Sequence, residues 1–109
     1  MIRELTTEEC VVLSKTVFKK ERGQIAKSSD DRYRLTEPQN TWDMNYHLID
    51  MHDGIEYLID TGDIGFYDYE SYHEYDLEYI NIFYSDMLDL DSNVDMIIEA
   101  SWKSFYRYE

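Results

Sequence analysis

The sequence predicts a mostly α fold: a small compact helical domain of about four helices, possibly with a short β-hairpin, and with α+β as the alternative. Three observations predict it. Two Ser/Thr-x-x-Glu capping boxes occur, Thr6 to Glu9 and Ser71 to Glu74, and such a box satisfies orphan backbone donors at a helix start. Apolar residues recur at three- and four-residue intervals in several segments, the spacing of a helix face. In the last segment the acids come early and the bases late, which matches a helix dipole. With 109 residues, 43% of them apolar, the chain suits a single domain over 1–109 with one modest core.

Thr6 is the expected N-cap of the first helix, with Glu9 at N3 and Leu5 and Cys10 at staple spacing. The helix is expected from about 7 to 22, anchored by Val11, Leu13, Val17 and Phe18, with Lys19, Lys20 and Arg22 in its last turn and Gly23 as its stop. Its β-branched residues Val11, Val12, Thr16 and Val17 leave a strand as the rival. Residues 24–40 are polar and end near the only proline, Pro38, so they read as a loop, with Arg32 to Leu35 as a short strand.

Thr41 is a candidate cap for a second helix with Met44, Leu48, Met51, Ile55, Leu58 and Ile59 on one face. Gly54 lies inside it, at a cost of about 1 kcal/mol relative to Ala. The rival is a hairpin: Trp42, Met44, Tyr46 and Leu48 alternate, Asp53-Gly54 turns, and Ile55 to Ile59 returns. The helix is the preferred reading. Gly62 and Gly65 mark a break, and residues 66–76 are dense in tyrosine and acid. The Ser71 box then opens a helix to about residue 89 with the stripe Leu77, Ile80, Tyr84, Met87 and Leu88. Asp91 or Ser92 caps the last helix, whose stripe is Val94, Ile97, Ile98, Trp102 and Phe105.

Charge is the chain's strongest feature. Ten Lys and Arg stand against 24 Asp and Glu, a net charge of −14. Residues 1–34 carry a net +2 and residues 35–109 a net −16, and residues 35–101 contain no Lys or Arg at all. This excludes a protein that grips nucleic acid through a basic face, because phosphates would be repelled. It also argues against docking on anionic lipid. No 18-residue apolar run is present, so no transmembrane helix is expected. Arg3, Glu4, Glu8 and Glu9 stand where a signal peptide would be apolar, which predicts a soluble, cytoplasmic protein.

Motifs for catalysis or metal binding are not found. There is no G-x-S-x-G, no phosphate-binding loop and no dinucleotide fingerprint. Cys10 is the only cysteine and reads as a buried structural thiol. His47 and His52 are five apart, which does not fit a zinc-binding helix. Asp89 to Asp95 begins like an EF-hand loop but places Val94 where glycine is needed and Ala100 where the bidentate Glu belongs. No enzyme activity, metal or cofactor is expected.

The eleven tyrosines complete the picture, because Tyr67, Tyr69, Tyr72, Tyr75, Tyr79 and Tyr84 are interleaved with acids. Tyrosine beside carboxylate suits a partner surface rich in Arg and Lys. Carboxylates three or four apart on a helix lie about 5–6 Å from one another, a spacing similar to that of phosphates along a strand. The expected partner is therefore a basic nucleic-acid-binding protein, a nuclease or its complex, met by Asp60, Asp63, Asp68, Glu70, Glu74, Asp76, Glu78, Asp86, Asp89, Asp91 and Asp95, with Tyr67 and Tyr69 as aromatic contacts. In size and composition the chain resembles the acidic inhibitors that phages and mobile elements carry against restriction, CRISPR or DNA-repair proteins. That resemblance is one of class, with no signature motif. It implies a DNA mimic that occludes the binding groove of a bacterial defence nuclease. The alternatives are an immunity protein for a basic nuclease toxin and a small acidic regulatory subunit.

Overall fold

Alternation, rather than helical periodicity, organises most of the chain. The computed structural model describes residues 2–21, 23–68, 78–84 and 96–108. In chain order these form β1 (Ile2–Glu4), α1 (Thr7–Ser14), β2 (Phe18–Glu21), β3 (Gln24–Ser28), β4 (Tyr33–Thr36), β5 (Asn45–Asp50), β6 (Glu56–Asp60), a 3-10 turn (Thr61–Asp63) and β7 (Ile64–Asp68). Then come β8 (Tyr79–Tyr84), β9 (Met96–Ser101), a 3-10 turn (Trp102–Ser104) and β10 (Phe105–Tyr108). The strands make one ten-stranded sheet in the order β1-β10-β6-β5-β4-β3-β2-β8-β9-β7, curled into a half-barrel. The mostly α, four-helix expectation is therefore wrong: α1 is the one α-helix among the described residues.

Every described pairing is antiparallel except β2 with β8, where Phe18 meets Ile82 in parallel register. β2 to β6 form a meander. β10 and β1 extend it on one side, and β8, β9 and β7 join it on the other through that parallel seam.

The helix expected over 7–22 has its predicted start and an early end. Both halves of the Thr6–Glu9 capping box are formed, and Cys10 and Leu13 are buried. The Ser14 hydroxyl then donates to the Val11 carbonyl at 3.0 Å and the Thr16 hydroxyl to that of Val12 at 2.9 Å, so side chains occupy the final carbonyls. β-branched Val17 leads into β2, and Lys19 and Lys20 become strand residues. The 24–40 loop is corrected too: it contains β3 as well as β4.

The helix preferred over 41–59 is replaced by its rival, the hairpin. Leu48 faces Tyr57 and Tyr46 faces Ile59 across β5 and β6. Gly54 adopts φ +70°, a left-handed conformation that a residue with a β-carbon adopts at a cost. Over their described residues the two C-terminal helices are also replaced by strands, β8 and β9. Ile80 pairs with Ala100 and Ile82 with Ile98, all on the core face, while Phe83 and Ile97 pair on the opposite face. Adjacent Ile97 and Ile98 are both buried although they face opposite sides of the sheet. Short apolar runs fit either period, and isoleucine favours the pleated one. The Ser71–Glu74 box and the Asp91/Ser92 cap lie outside the described residues.

The core lies in the hollow of the half-barrel, built from Phe18, Leu35, Leu48, Ile59, Ile82 and Phe105 with Leu13 of α1. Among the described residues no helix is long and apolar enough to cross a membrane.

Candidate functional site

The acidic edge grows out of the sheet's last strand. β6 ends at Asp60, whose side chain accepts the Gly62 backbone N–H at 2.8 Å and so starts the 3-10 turn. That turn delivers Asp63 to solvent and launches β7, which pairs only with β9 in the described sheet. Asp60, Asp63 and Asp68 are exposed, and none of them meets a cation among the described residues. Phe66 and Tyr67 are 55% and 44% exposed beside them. A β-carbon built on Gly65 would lie 2.8 Å from the Tyr67 ring, so the ring lies across the glycine and uses the space it leaves.

The structure thus places Asp60 and Asp63 at the 3-10 turn that opens β7, and Tyr67 and Asp68 at the far end of that strand. Glu78 is engaged by a cation instead. That residue precedes β8 and forms an exposed ion pair with Lys103 Nζ at 3.7 Å. Tyr69, Glu70, Glu74, Asp76, Asp86, Asp89, Asp91 and Asp95 lie outside the described residues. The expected row of carboxylates on helix faces is not formed at the described positions, since these are strand and turn.

The cations explain why that edge is unopposed. Arg3, Arg107 and Tyr57 are register partners across β1, β10 and β6, and all three converge on Glu9 of α1. Arg3 Nη1 donates at 2.8 Å, Arg107 Nη1 at 3.0 Å and the Tyr57 hydroxyl at 3.3 Å. Burial alone would raise the Glu9 carboxyl; the bonds from Arg3, the Thr6 N–H and Arg107 bring it down to about 2. Burial, followed by the Glu9 charge, pushes the Tyr57 phenol up to about 12.

Arg32 holds Asp50, which is 1% exposed, at 2.9 Å, and reaches Asp53 at 3.3 Å. Burial opposes ionisation of Asp50, but Arg32 and the His52 and Asp53 N–H groups keep its carboxyl below the usual range. Lys27 bridges Glu21 at 3.2 Å and Asp31 at 2.9 Å. Five cations (Arg3, Lys27, Arg32, Lys103 and Arg107) are thus engaged by carboxylates, whereas Lys15, Lys19 and Arg34 make no ion pair among the described residues.

His47 is a feature sequence reasoning undervalued. It is buried, and its two ring nitrogens bond Asp43 and Glu56. Burial lowers its pKa, but the two carboxylates outweigh that and raise it, while the bond from His47 holds Asp43 at about 2. Cys10 is buried, and burial pushes its thiol up. No group of three His, Cys, Asp or Glu among the described residues is arranged to hold a metal.

Comparison with known proteins finds no matching family model, no similar curated protein and no similar solved structure.

Proposed function

We propose that the chain is an acidic inhibitor that docks in the nucleic-acid-binding groove of a basic partner, a bacterial defence nuclease or its complex, and competes there with DNA or RNA. One observation carries this reading: Asp60 and Asp63 before β7, Asp68 at its end, and Phe66 and Tyr67 within it all stand exposed, while five of the chain's cations are engaged by carboxylates elsewhere. Asp60 and Asp63 at the turn before β7 and Asp68 at its end replace the helical row the sequence suggested with a set of separated exposed charges. The exposed rings supply apolar contact and can stack on guanidinium groups. A net charge of −14 steers a basic partner and makes association depend steeply on salt.

The test is capture from bacterial lysate at low salt with stepwise salt elution, using an equally acidic unrelated domain as control. A nuclease retained to high salt, absent from the control and displaced by DNA, is the expected result. The triple variant Asp60→Lys, Asp63→Lys, Asp68→Lys should lose on the order of a hundredfold in affinity with an unchanged circular-dichroism spectrum. Full retention of the partner by that variant would refute the reading.

A further inference from the structure

The half-barrel has two unlike ends. At one, α1 lies over Tyr57 and Arg107 and its Glu9 closes the hollow with ion pairs. At the other, where β5 begins and β4 ends, the hollow is open. It forms a groove of about 370 Å³ lined by Leu35, Tyr46, Ile64, Phe66, Ile98 and Glu37, among others. That volume lies within the range of small-molecule sites, roughly 300–1,000 Å³.

The lining is apolar apart from Glu37, and it contains no Lys or Arg. Glu37 is exposed at the rim and has no ion pair or hydrogen bond among the described residues. An adjoining recess, lined also by Glu37, carries Lys20 and Glu21, one charge of each sign, and Glu21 is held by Lys27. Tyr46 and Phe66 contribute aromatic rings to the lining, and such rings attract cations. Asp68 pairs in register with Met96, another residue of the lining, which adds a second carboxylate beside the mouth. Apolar walls reward an apolar body, and among the described residues the charges at the mouth that make no ion pair are Glu37 and Asp68, both negative.

We propose that this groove binds an amphiphilic cation, an alkyl body carrying one ammonium group that meets Glu37. The chain's overall negative charge rejects a fatty acid of the same size, and a neutral alcohol leaves the carboxylate unused. This inference stands on the groove lining, which shares Phe66 with the protein-binding reading above.

The test uses the full chain, labelled with ¹⁵N and titrated with n-octylammonium, n-octanol and n-octanoate below their micelle concentrations. Octylammonium should give saturable shifts confined to the strand segments around the groove. Octanol should bind at least about fivefold more weakly and octanoate not at all. Glu37→Gln, an exposed substitution that leaves the core untouched, should weaken octylammonium about fivefold. Glu8→Gln, which removes the same charge at the opposite end, should change nothing. Equal affinity for octanol, or shifts scattered over the acidic surface and unmoved by Glu37→Gln, would overturn the proposal.

Discussion

Replacing Glu9 by Gln isolates the charge at the centre of the Arg3–Arg107–Tyr57 cluster. Gln at N3 still completes a capping box, so the helix start is kept and only the ionisable group is lost. In the folded chain the Glu9 carboxyl is moved from 4.5 to about 2, equivalent to about 3 kcal/mol at neutral pH. The side chain is 16% exposed, and screening trims this to about 2 kcal/mol. Because the folded pKa is depressed, the stabilisation is complete above the unfolded value and disappears as pH falls through the folded one. Urea unfolding followed by circular dichroism between pH 7 and pH 2 should show Glu9→Gln less stable by about 2 kcal/mol at pH 7. The two curves should converge near pH 2, where wild-type Glu9 is itself half protonated. A gap that is absent at pH 7, or that persists undiminished into acid, would refute the argument that Glu9 stabilises the fold through its charge.

The His47 cluster has the opposite pH dependence. Its raised pKa stabilises the fold below the unfolded value of 6.5, and that stabilisation is lost as pH rises through the folded value. His47→Gln should therefore flatten the alkaline side of the stability profile, and NMR titration of the wild-type ring should give a midpoint above 6.5. Phe18→Ala removes a fully buried ring at the parallel seam and should cost about 3–5 kcal/mol in urea unfolding. Gly65→Ala drives the Tyr67 ring off its seat. Unfolding free energy should change by less than about 1 kcal/mol, while partner binding in the capture assay weakens.

What the sequence revealed depended on how local the cause was. The Thr6–Glu9 box is a hydrogen-bond pattern complete within four residues, and it forms as read. Asp53-Gly54 likewise announces a turn, since φ +70° at Gly54 is a local demand. Helix and strand could not be told apart where apolar runs were short. Ile97 and Ile98 look like neighbours on a helical stripe, yet they face opposite sides of a sheet whose covering comes from distant residues. The acid-only block offered Asp60, Asp63, Asp68 and Glu78 alike as contacts, and could not show that Glu78 meets Lys103, because that pairing depends on β9 running back beside β8. The open groove left no signal, because its lining comes from β3, β4, β5, β7 and β9.

The parallel seam has a kinetic consequence. The β2–β6 meander can zip up through successive hairpins, but Phe18 must wait for Ile82 and Ile2 for Tyr108 before the sheet is complete. Closing loops of that length comes late and slowly, and it leaves strand edges bare in the interval. Half-closed chains that met edge to edge would aggregate. Each of them carries the same charge of −14, so they repel one another while the last strands find their places. The charge that would meet a basic partner thus also opposes edge-to-edge contact between copies of the chain while the sheet is incomplete.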